Sequence, residues 1–155
     1  MKKLLAILLL APSFADACSL ARGWNYFLAE PRYGAEETKP ELPKIEVSEV
    51  RRGYSDGNYA SCSDAGIITF KAANTPIGDF GYTFEIQEGE FEDAVFPEGA
   101  LAPLENGEIF FVWLDGSKDY QEALDLSVRV HSVNKQGIYS DPVFIQISHA
   151  GGKSH

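Results

Sequence analysis

Only two cysteines, Cys18 and Cys62, occur in the 155 residues, and neither belongs to a Cys-x-x-Cys pair that would offer a zinc site. Basic residues are scarce, 13 against 23 acidic ones. Such a surface repels phosphate backbones and anionic lipid, which speaks against nucleic acid and membrane surfaces as partners. The three histidines, His131, His149 and His155, have no spacing that fixes a metal geometry, and the Asp-x-Asp-x-Asp-Gly loop of a calcium site is missing. Neither metal nor cofactor is expected. Beyond the N-terminus no apolar run is long enough to span a bilayer. There is no internal repeat, and no window holds sustained helical periodicity between caps.

The chain begins MKKLLAILLLAPSFADACS. Two lysines precede an apolar run over residues 4–10, and Ala15-Asp16-Ala17 has the small-x-small form that signal peptidase cuts. This layout predicts a cleaved signal peptide over residues 1–17 and a secreted or periplasmic protein without a stable membrane anchor. The charge of Asp16 speaks against lipidation of Cys18. Cleavage leaves 138 residues, the size of one domain with one core, and removes Lys2, Lys3 and Asp16. The mature chain then holds 11 basic and 22 acidic residues, a net charge of −11. An even cysteine pair in an exported chain reads as one disulfide, Cys18 to Cys62. Closing a loop of about 45 residues, it stabilises the fold by ~4 kcal/mol in the chain-entropy model.

Residues 18–33 carry Trp24, Tyr26 and Phe27, and residues 34–44 form a proline-bearing linker. Residues 18–43 are therefore read as a disulfide-tethered extension and linker. From residue 44 the pattern becomes β. Ile45 and Val47 alternate with polar residues; Ile68, Phe70 and Ala72 share one face; Tyr82, Phe84 and Ile86 alternate cleanly; Ile109 to Leu114 follows the Asn106-Gly107 turn. Leu126, Val128 and Val130 alternate, with a slip to Val133, and Val143, Ile145 and Ile147 follow. The link Asn134-Lys-Gln-Gly137 joins these last two runs as an antiparallel hairpin. Several short strands with Gly/Pro/Asn loops predict an all-β antiparallel sandwich over residues 44–149, with a flexible tail at 150–155. Its expected inner face includes Ile68, Phe70, Phe84, Val128, Val130, Val143 and Ile145, and His131 is expected on the outer face.

The final hairpin resembles that of fibronectin type III domains, which belong to the immunoglobulin-like sandwiches. The family pattern runs through Leu126-Ser-Val128-Arg129-Val130-His-Ser132-Val133-Asn134, then Gly137, Ser140 and Pro142. Ile68-Thr-Phe70 and Gly81-Tyr82-Thr-Phe84-Glu-Ile86 are similar to the family's second and third strands. Phe70 stands where the family has tryptophan, and Leu126 where it has tyrosine. The resemblance implies an adhesion or interaction module without catalytic residues, lacking here the Arg-Gly-Asp triplet of some members.

The remaining motifs have plainer readings. Gly53-Tyr-Ser55-Asp-Gly57 matches a hydrolase nucleophile elbow, with Ser55 as nucleophile. The elbow needs a helix after the serine, whereas Gly57-Asn-Tyr-Ala-Ser is turn sequence, so a β-turn is favoured. Glu88, Glu90 and Glu92 read as a solvated acidic edge that discourages strand aggregation. Trp24, Tyr26 and Phe27 are candidate binding anchors for a protein or glycan, weighed against packing on the sandwich. Cys18-Ser19 at a new N-terminus is similar to tissue inhibitors of metalloproteinases, which suggests a protease inhibitor as an alternative. The leading expectation is a secreted or periplasmic, non-enzymatic module that binds a protein or glycan.

Overall fold

Asn134 organises the turn that shapes the C-terminal hairpin. Its side-chain oxygen accepts the N–H groups of Gln136 (2.9 Å) and Ile138 (3.0 Å), and its carbonyl accepts that of Gly137 (2.9 Å). Gly137 closes the turn at φ 77°, a conformation that costs glycine nothing. Beyond it, Ser140 donates its N–H to the Ser132 carbonyl and receives the Ser132 N–H on its hydroxyl (3.0 Å). Pro142 follows, and the ladder then runs from Val130↔Val143 to Leu124↔His149.

A computed structural model describes residues 24–34, 38–54, 56, 62–73, 78–91, 95–115 and 121–152. Its strands are β1 (Ile45–Arg51), β2 (Ala65–Ala72), β3 (Phe80–Glu88), β4 (Glu108–Leu114), β5 (Leu124–Asn134) and β6 (Val143–His149), with one 3-10 turn at Cys62–Asp64. They form two three-stranded antiparallel sheets, ordered β1-β2-β4 and β3-β5-β6. The fold is all-β, and the arrangement fits a β-sandwich. β1 runs on past Val47 to Arg51, with its register shifted between Val47 and Glu49.

The core lies where the two inner faces meet. Ile68, Phe70, Phe84, Val128 and Val130 are buried as the alternation requires, while Val143 and Ile145 are half-buried against the core and Ile147 is fully buried. Aromatic rings cross between the sheets: Phe84 lies 4.7 Å from Phe70 and 4.9 Å from Phe111, centroid to centroid. Contacts of this kind add about 0.5–1.5 kcal/mol each beyond the area they bury. Trp113 lies so close over Gly66 that a Cβ there would sit 2.2 Å from the ring.

The slip after Val130 has a physical cause. Ser132 keeps the inward phase, so Val133 faces outward and yet is buried. Val133 pairs with Gly81, and a Cβ on Gly81 would meet Phe27 at 2.5 Å. The N-terminal segment thus covers this patch of outer face. His131, also on that face, contacts the Ser140 carbonyl through Nδ1 (2.9 Å).

Candidate functional site

Two polar or open features stand out from this scaffold. The first is a knot where β1, β4 and β6 end. Arg52 grips Asp115 with two parallel bonds, Nε and Nη2 each 2.8 Å from a carboxylate oxygen, and the two side chains are only 7% and 3% exposed. Asp115 also accepts the Gly53 N–H (2.6 Å) and the Trp113 indole N–H (3.1 Å). Arg52 Nη1 donates to the Glu122 carbonyl (2.7 Å) and stands 3.4 Å from His149 Nδ1. Gln121 donates to the Gly53 carbonyl, and Asp115 N–H to that of Asp64. Every carboxylate oxygen is taken by a donor of the fold itself. This constellation is a structural staple.

The second feature is a groove of about 640 Å³ beside β3. β3 is an edge strand. Tyr82 bonds Leu101 through both backbone groups, N–H and C=O each at 2.8 Å. In an antiparallel strand alternate residues direct these groups to the same side, so Phe84 and Ile86 direct theirs to the same open edge. Among the described residues nothing bonds the N–H or C=O of Phe84, and the Ile86 carbonyl receives only a long bond (3.3 Å) from the side chain of Gln87. Continuing the Tyr82↔Leu101 register would set Pro97 opposite Ile86. That register also sets Gly99 opposite Phe84, and no bond joins the two, so the chain has already left the edge ahead of Pro97, which has no N–H to give.

The connection between β3 and β4 supplies the other wall. Val95 is buried, Phe91 and Phe96 are half-buried, and they form the apolar lining with Phe84 and Ile86. Phe96 stacks on Phe84 at 5.9 Å and meets Phe111 edge-on at 4.6 Å, which holds that wall to the core. Glu85, Glu98 and His131 lie at the rim. Glu85 is paired with Arg129, and that hydrogen bond, helped by one from Gln87, holds its carboxyl below the usual carboxylate range. A groove of this size beside open backbone groups can hold an extended chain by adding a strand.

The candidate aromatic anchors divide. Phe27 packs on Gly81, while Trp24 and Tyr26 are 44% and 48% exposed and meet edge-on at 6.5 Å. Their segment is fixed by Phe27 N–H to Ala100 C=O (2.8 Å) and Ala102 N–H to Asn25 C=O (2.7 Å), which pairs Tyr26 with the far side of Leu101. Cys62 opens the 3-10 turn at the surface; Cys18, Ser55, Glu92 and the signal segment lie outside the described residues. His149, the last residue of β6, belongs to the staple, and its Nδ1 accepts the Gly151 N–H (3.1 Å). The sequence reading missed both the staple and the groove. The only signals were an arginine and an aspartate at strand ends, and a proline in the long β3–β4 connection.

No family model and no curated protein matches the chain. Among solved structures it is similar to the Endo-D glycoside hydrolase domain of Streptococcus pneumoniae R6, at 13% identity and a TM-score of 0.41, covering 73% of this chain and 16% of that one. The expectation from sequence that the chain is not an enzyme stands against this likeness, which is to a hydrolase domain. At that score the likeness assigns neither its fold nor its activity to this chain.

Proposed function

We propose that this chain is a fibronectin type III-like sandwich, exported by its N-terminal signal, that binds another protein along the open edge of β3. The strand order supports the fold reading. β1-β2-β4 facing β3-β5-β6 has the connectivity of strands A-B-E over C-F-G in immunoglobulin-like sandwiches, with no counterpart of strand D among the described residues. The observation that carries the function is the open backbone of Phe84 and Ile86 above an apolar groove. The chain already uses this mode on itself, since Leu101 adds to β3 at Tyr82.

A protein is favoured over a glycan because a polypeptide can match the alternating N–H and C=O groups of an edge in register. The test is capture from the source's envelope or medium with the mature chain as bait, set against an Ile86→Pro bait. That N–H points away from β5, so proline there removes a donor from the open edge and none from the ladder. The expected result is a partner retained by the wild-type chain and by Ile86→Val, and lost from Ile86→Pro. Equal capture by all three baits would contradict the reading.

A further inference from the structure

We infer that the segment received by the β3 edge alternates apolar side chains with lysine or arginine; this rests on the reading of that edge as a docking surface. A strand added beside residues 84–86 turns every second side chain to one face. One face would meet the apolar wall of Phe91, Val95 and Phe96. The other set would pass between carboxylates. Glu88 and Glu90 lie where β3 ends, and Glu98 lies on the opposite wall, all three exposed.

Among the described residues none of these three forms an ion pair, whereas Glu85 is already joined to Arg129. The field around them is reinforced by the chain's net charge of −10. An acidic segment meets repulsion here, and a second copy of this chain would bring the same carboxylates and the same net charge against its own image. A cationic, alternating segment is complementary in both backbone and charge.

The experiment measures fluorescence anisotropy of labelled, end-blocked peptides Lys-Val-Lys-Val-Lys, Ser-Val-Ser-Val-Ser and Glu-Val-Glu-Val-Glu titrated with the mature chain. Wild type should bind the lysine peptide about tenfold more tightly than the serine one, and the difference should shrink as salt is added. The Glu88→Lys/Glu98→Lys variant, changed only at exposed positions, should reverse the preference toward the glutamate peptide. Ile86→Pro, checked for folding by circular dichroism, should lose all three. If the peptides bind alike and Ile86→Pro abolishes them, the charge inference falls and the edge reading stands. If the lysine peptide binds Ile86→Pro as well as it binds wild type, the edge reading falls with it. No binding of the lysine peptide to the wild-type chain overturns the inference.

Discussion

Replacing Asp115 with alanine removes the centre of the staple and leaves three donor groups behind. The Arg52 guanidinium, 7% exposed, loses two bonds at 2.8 Å and keeps the Glu122 carbonyl. The Gly53 N–H and the Trp113 indole N–H each lose their partner on that carboxylate. Breaking one side of a buried pair costs about 3–5 kcal/mol, and an orphaned buried donor costs roughly 1–3. These losses overlap, so the expected total is at least ~4 kcal/mol, a large part of the ~5–15 that holds a domain together. Urea unfolding followed by tryptophan emission measures it. Arg52→Met combined with Asp115→Leu removes the charges together and should cost at least ~2 kcal/mol less than the two single changes summed. A loss below ~1 kcal/mol for Asp115→Ala, the size seen for an exposed pair, would refute the staple.

Gly66→Ala pushes a Cβ to 2.2 Å from the Trp113 ring, so it should destabilise by about 1–3 kcal/mol and shift the indole emission; an unchanged unfolding midpoint would contradict the packing. Val130, fully buried, should lose about 1–3 kcal/mol on truncation to alanine in the same assay, and no loss would mean a register slipped by one. Cys62→Ser should lower stability by ~2–4 kcal/mol if the expected bond to Cys18 ties down the N-terminal segment. Gentle reduction of the native chain that leaves the melting temperature unchanged would tell against that bond.

The hairpin and much of the inner face were legible because burial on a strand writes itself as a period of two. Val128, Val130 and Ile147 fall where the alternation puts them. Val133 broke that pattern for a reason no local rule contains: its outer face is covered by a segment about a hundred residues earlier in the chain. Arg52 and Asp115 are 63 positions apart, and polar residues at strand ends look alike whether solvated or buried against each other. The groove was hidden in the same way. It arises because residues 95–101 are anchored by Phe96 on the core and by Leu101 on Tyr82, while Gly99 makes no bond to Phe84. An open edge is a property of what fails to pair, and that is visible only once every strand has its place.

Amide hydrogen exchange across β3, read residue by residue by NMR, tests the open edge most directly. In the free chain the amides of Thr83 and Glu85, which point to β5, should exchange slowly, and those of Phe84 and Ile86 should exchange fast. Adding the binding partner should slow Phe84 and Ile86 and leave Thr83 and Glu85 as they were. Slow exchange at all four positions in the free chain would mean that the edge is already covered, and would contradict its role as a binding surface.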